Sequence, residues 1–184
     1  MEIKITSKTM LKVLEILSWV IFIGLCIEAG GIISNAFYTL AINPGGAKNY
    51  WMGADLSSLY QFDPVFFFVE IFFMSIAAVM KALLFYLIVK LLHENKLSLS
   101  RPFNEYVKRF IQNIAYLALG IGLFSHFGGN YAEWFTKQGV VMPTIQSLKL
   151  GGADVWIFMG ITLLVIAQIF KRGIEIQSEN ELTI

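Results

Sequence analysis

Four ionisable side chains stand inside stretches otherwise built of hydrocarbon: Glu28, Glu70, Lys81 and His126. Glu70 and Lys81 lie within Pro64 to Leu92, PVFFFVEIFFMSIAAVMKALLFYLIVKLL, a run far more apolar than a helix of a soluble core. Charge is costly at that depth, so such residues need a role: binding a cation, relaying protons or holding a small ligand. Glu28 sits on a stripe of small and polar residues, Gly24, Glu28, Gly31 and Asn35, at spacings of four, three and four. A stripe of that kind faces neighbouring helices rather than lipid. Anchoring each helix at its membrane interface puts Glu28 ~24 Å above an inner end and Glu70 ~9 Å below an outer one. In a core of ~30 Å those depths nearly coincide, with His126 a little higher. The expectation is one outer pocket shared by Glu28, Glu70 and His126.

The plainer reading of each acid is a packing residue hydrogen-bonded to an adjacent helix. Lys81 is eleven residues from Glu70, on the same face but ~16 Å away along the axis, too far to pair directly. Its four-carbon stem lets it snorkel to the inner headgroups. No zinc site is expected, because His126 is the one histidine near these acids and no ligand spacing recurs. His93 belongs to a wet, basic connector. No phosphate-binding glycine loop, nucleophile elbow or paired-histidine helix motif is present, so neither catalytic residues nor a cofactor are expected. The single cysteine, Cys26, rules out an intrachain disulfide framework. Leu25 before it is too bulky for a lipid-attachment site, so Cys26 reads as a packed membrane thiol.

The elements that must position these residues follow from composition. At 57% hydrophobic with long apolar runs, the chain lies outside the soluble globular range. A net charge of +1 excludes bulk attraction to nucleic acid. The fold class is all-α: a polytopic membrane protein of four transmembrane helices in one bundle, at about 13–38, 64–92, 106–127 and 154–170. The first span is too long for a signal peptide and carries Glu28 where a cleavage site needs small residues. Asn43-Pro44-Gly45-Gly46 is turn chemistry, and Tyr50, Trp51, Tyr60 and Phe62 suit an interfacial aromatic belt. Asp63 before Pro64 predicts an N-cap and first turn, and Ser100 with Pro102 predicts another. Residues 128–152 read as an outer connector. Gly173 ends or bends the last helix, leaving a tail over 173–184.

Lys and Arg positions set orientation. Ten of the fourteen flank the termini and the middle connector: Lys4, Lys8, Lys12, Lys90, Lys96, Arg101, Lys108, Arg109, Lys171 and Arg172. Both termini are therefore expected in the cytoplasm, with the lipid bilayer as the principal partner.

Two strings carry a resemblance. Leu99-Ser100-Arg101-Pro102-Phe103-Asn104-Glu105-Tyr106-Val107-Lys108-Arg109 resembles the inner connector of a bacterial family of four-helix plasma-membrane proteins of unknown function. Ile169 to Ile184, IFKRGIEIQSENELTI, resembles that family's closing motif. Ser100 stands where glycine, and Glu181 where aspartate, is expected. The resemblance implies a gene beside a small helix-turn-helix regulator, and so a cytoplasmic DNA-binding partner; it carries over no catalytic residue.

Two functions follow as expectations. One is a non-enzymatic membrane regulator or sensor, whose partner contacts lie among Arg101, Phe103, Glu175, Glu179, Glu181 and Leu182. The other is a small ion or solute transporter built on Glu28, Glu70 and Lys81. Four helices make a thin transporter unless the protein forms a homo-oligomer.

Overall fold

The computed structural model describes residues 7–94 and 103–181, with side chains for 9–94 and 103–179. Four long helices dominate: α1 (Ser7–Ala41), α3 (Pro64–His93), α4 (Glu105–Lys137) and α5 (Ala153–Glu181). A 3-10 turn (Pro44–Asn49) and the short α2 (Ser57–Phe62) lie between α1 and α3. No strand occurs among the described residues. All four long helices are long and apolar enough to cross a membrane, and they pack together as an all-α membrane bundle. Lys4, Lys96, Arg101, Leu182 and the side chain of Glu181 lie outside the described residues.

Local chemistry fixes the helix starts. Asp63 caps α3 by accepting a hydrogen bond from the Val65 N–H at 2.6 Å, with Pro64 in the first turn. Asn104 caps α4, its side chain accepting from the Val107 N–H at 2.9 Å; Ser100 and Pro102 lie outside the described residues. Glu105 then supplies an acidic first turn favourable to the helix dipole. In the connector before α2, the hydroxyl and backbone N–H of Ser57 hold the Asp55 carboxyl below its usual range.

The helices pack in chain order, α1 on α3, α3 on α4 and α4 on α5. Antiparallel register is set by Glu15–His93 (3.0 Å) and Phe22–Tyr86 for α1 and α3. Phe66–Phe135 and Phe73–Phe124 set it for α3 and α4. Phe103–Phe170 sets it for α4 and α5. Glycines let α4 and α5 touch closely. A Cβ at Gly122 would stand 2.9 Å from the Ala153 carbonyl, and one at Gly160 would stand 2.9 Å from the Leu119 nitrogen. Close approach of backbones replaces the hydrophobic drive that lipid removes.

α5 begins level with Gly122, several turns short of the end of α4. The outer parts of α1, α3 and α4 therefore project beyond it, and residues 138–152 run back down beside them. Gly139, at φ +85°, turns the chain out of α4, with Val140 N–H bonded to Phe135 O and Gly139 N–H to Thr136 O. This is a Schellman ending, which needs a left-handed residue. Leu148 and Leu150 on the returning segment are buried in a core with Ile32, Leu59, Phe67 and Phe135.

Several expected boundaries move. α4 continues past Phe127 to Lys137, because Gly128 and Gly129 are packing residues under Phe73, Leu150 and Ile145 rather than turns. α5 runs unbroken through Gly173, where an added Cβ would stand 2.5 Å from the Phe103 ring; glycine admits that ring without ending the helix. Tyr50 and Trp51 turn inward instead of forming a belt. Tyr50 is 1% exposed and donates to the Ile32 carbonyl at 2.6 Å, and burial pushes its phenol pKa up. Trp51 covers Gly31. Cys26 is exposed, beside a groove between α1 and α3, and is not a packed thiol. Gly24 has open space where a Cβ would be, so the small-residue stripe faces its neighbour only over Glu28, Gly31 and Asn35.

Candidate functional site

The returning segment is pinned by Lys149. Residues 144–148 make a helical turn that ends with Lys149 N–H on Gln146 O and Leu150 N–H on Ile145 O. Lys149 occupies the left-handed position, φ +62°, that such an ending usually gives to glycine. Its carbonyl accepts a hydrogen bond from Lys81 Nζ at 2.7 Å, and its own Nζ lies 3.7 Å from Glu28 Oε2. One connector residue thus ties α1 to α3. The charge-assisted hydrogen bond contributes ~1.5–3 kcal/mol, while the partly exposed ion pair adds ~0–1 kcal/mol. Lys81 reaches outward to this carbonyl instead of snorkelling inward. In sequence, Lys149 looks like any basic residue of an outer connector, and nothing nearby marks it as a junction.

Glu70 is elsewhere. Continuing the register of α1 and α3 puts Glu28 opposite Met80 and Glu70 opposite Tyr38, ~15 Å apart along the axes. The side chain of Glu70 is fully buried at 0% exposure, and neither carboxylate oxygen has a hydrogen-bond partner. Its surroundings are Phe67, Ile71 and Met74 in the same core, with Tyr131 of α4 at its level. The two acids do point away from lipid, but they do not share a site. Equal depth fails because α1 and α3, 35 and 30 residues long, run ~50 and ~45 Å, longer than a core of ~30 Å, so depths counted from opposite ends of the two helices do not coincide.

His126 lines a third place, an open trough of about 320 Å³ between the outer part of α4, the returning segment and the start of α5. Its ring nitrogen Nε2 lies 3.0 Å from Asn130 Nδ2. Glu133, Gln146 and Asp154 are exposed along the same trough, and Ser125 lies at its floor, 1% exposed with an unpartnered hydroxyl. Neither Glu28 nor Glu70 lines it. Ser125, Glu133 and Asp154 escape a sequence reading because they meet only when the connector folds back. Among the described residues, no group of three or more His, Cys, Asp or Glu is placed to hold a metal ion.

At the opposite end of α5 the residues are differently engaged. Phe103 packs on Phe170 and over Gly173, so it holds α5 to the start of α4. Glu175 pairs with Arg172 at 3.0 Å, one turn back on its own helix. Lys108 pairs with Glu105 at 2.8 Å, also locally. Glu179 is exposed on the last turns of the same helix, which runs on to Glu181.

No curated protein and no solved structure matches the chain. A family model described as "Protein of unknown function (DUF2975)" matches residues 36–184, from the last turns of α1 through α3, α4 and α5. That agrees with the resemblance of the inner connector and closing motif to an uncharacterised membrane family. The chain belongs to the family of proteins of unknown function DUF2975.

Proposed function

We propose that this multi-pass membrane protein is a non-enzymatic regulator, in which α5 carries the state of the outer trough to a cytoplasmic partner. The observation behind this reading is the continuity of α5. It starts at the trough with Ala153 and runs 29 residues, ~44 Å, to Glu181 without a break. A helix of that length moves as a rod, so a displacement at one end is felt at the other. Its last turns bear Glu175, Glu179 and Glu181, with Ile174 and Ile176 on either side of Glu175. An acidic and aliphatic end suits a basic soluble protein, with the acids steering association and the aliphatics buried on contact. A cytoplasmic DNA-binding regulator has that chemistry. The clustering of Lys and Arg supports this reading, in which both termini lie on the cytoplasmic side of a bacterial plasma membrane.

The test is to delete Ile176 to Ile184 and measure both membrane insertion and expression of neighbouring genes. Intact insertion with altered expression supports the regulator. Intact insertion with unchanged expression removes its main support.

A transporter reading has one observation in its favour, the unpartnered carboxylate of Glu70. Against it, Glu28 and Lys81 are both engaged with Lys149, and the three residues form no shared path. Ion flux into proteoliposomes that vanishes in Glu70→Gln is the result that favours transport.

A further inference from the structure

We propose that the trough beside His126 binds a linear organic polyamine, with Glu133 and Asp154 receiving its terminal ammonium groups. The inference deepens the regulator reading by naming what the outer end of α5 senses, and the binding itself stands apart from that reading. Glu133 lies eight residues beyond Ser125 on α4, while Asp154 begins α5 at about the level of Ser125. The two carboxylates are therefore ~12 Å apart along the bundle axis. Between them lie further hydrogen-bonding groups: His126, Asn130 and Gln146. An extended triamine such as spermidine has this pattern, charged at both ends and in the middle with short hydrocarbon links.

A second observation makes this more than two surface acids. The Ser125 hydroxyl is buried at the trough floor with no partner, and a buried hydroxyl without one is destabilising. An amine in the trough supplies a donor to it. Ammonium groups donate only, and the trough offers them carboxylate, amide and hydroxyl oxygens. An anion fits poorly. The free N–H groups at the start of α5 would attract one, but Asp154 already occupies the first turn and adds its own negative charge. A dehydrated divalent metal also fits poorly, because it needs oxygens converging at 2–2.6 Å and the carboxylates here are spread out. With about 320 Å³, the trough has the size of a small-ligand site.

The full-length protein in nanodiscs of zwitterionic lipid is titrated with spermidine by calorimetry, with Mg²⁺ as the comparison. Zwitterionic lipid removes the attraction of polyamines to anionic headgroups. Saturable binding is expected, weakened about tenfold or more in the Glu133→Gln/Asp154→Asn double variant. A Ser125→Leu variant, which fills the floor, is expected to weaken binding as well. Thermal unfolding without ligand shows whether each variant is folded. Should a variant fail to fold, competition by 1,3-diaminopropane, too short to span both carboxylates, must be weaker than that by spermidine. Absence of saturable binding to the wild type overturns the proposal, as does unchanged affinity in the folded double variant. Binding of Mg²⁺ with none of spermidine overturns it too. If spermidine binds but gene expression ignores it, the site stands and the regulator reading falls. If the tail deletion alters expression but spermidine does not bind, the reverse holds.

Discussion

The side chain of Lys81 donates to the main-chain carbonyl of Lys149 at 2.7 Å, joining α3 to a connector 68 positions later in the chain. The connector lacks a regular element of its own to hold it, so this bond, with the Leu148 and Leu150 anchors, sets where α5 starts. Replacing Lys81 by Met keeps the length and apolar stem and removes the donor. The expected loss is ~1.5–3 kcal/mol, seen as a lower unfolding midpoint in detergent. An unchanged midpoint in Lys81→Met means the bond is not a determinant of connector position.

The α4–α5 crossing is the next test. At Gly122 an added Cβ meets backbone at 2.9 Å, and backbone cannot swing aside as a side chain can. Gly122→Ala is expected to destabilise by ~1–3 kcal/mol through overpacking. Gly30→Ala is the control, because nothing lies within 4 Å of a Cβ there and alanine favours helix by ~1 kcal/mol. Opposite shifts of the two midpoints are the expected result; equal shifts would mean that close packing at Gly122 is not what holds α5.

Glu70 should behave unlike a residue kept for stability. Its carboxylate is buried with both oxygens unpartnered, an arrangement that destabilises the fold. Methionine has similar volume and no polar atoms to satisfy. Glu70→Met is expected to raise the unfolding midpoint, by an amount equivalent to ~1–4 kcal/mol. A lower midpoint would show that Glu70 has a partner, such as an ordered water or bound ion, in the native membrane.

How much of this was legible in the sequence depends on range. Hydropathy and charge placement located four helices, and Asp63-Pro64 announced its own cap, because those signals are local. Glu28 facing inward was likewise readable from the stripe it shares with Gly31 and Asn35. What could not be read was the return of residues 138–152, which leaves α5 starting below the end of α4. That displacement brings Lys149 to Lys81 and builds a trough around His126, while the register of α1 on α3 separates Glu28 from Glu70. Glycines misled for a related reason. Gly128 and Gly173 look like helix ends in isolation, but each admits a ring or side chain from a distant segment, and only the packed structure shows which.

Topology is checked by cysteine accessibility. Because Cys26 is exposed on α1, it is first replaced by Ala to give a silent background. Single cysteines at Lys48 and Lys137 are expected to react with a membrane-impermeant maleimide in intact cells, and one at Lys96 only after permeabilisation. The opposite pattern would invert the protein and remove the cytoplasmic role assigned to the end of α5.

The last prediction concerns α5 as a rod. Gly173 lies where the helix leaves the contact with Phe103 and Phe170, before the acidic turns. Proline at this point removes a helical hydrogen bond and clashes with the preceding turn, at about 3 kcal/mol or more. The effect stays local, because the apolar stretch from Ala153 to Phe170 is held by its own packing against α4. Gly173→Pro is therefore expected to insert normally while amide exchange over 174–181 speeds up and that over 153–169 stays slow. Gly173→Ala crowds the Phe103 ring but leaves the helix whole, so it separates loss of the contact from loss of the rod. If α5 transmits, neighbouring-gene expression in Gly173→Pro should match that of the Ile176–Ile184 deletion, and Gly173→Ala should keep most of the wild-type response. Wild-type expression in a Gly173→Pro protein whose end has demonstrably melted would show that the continuity of α5 is not used for signalling.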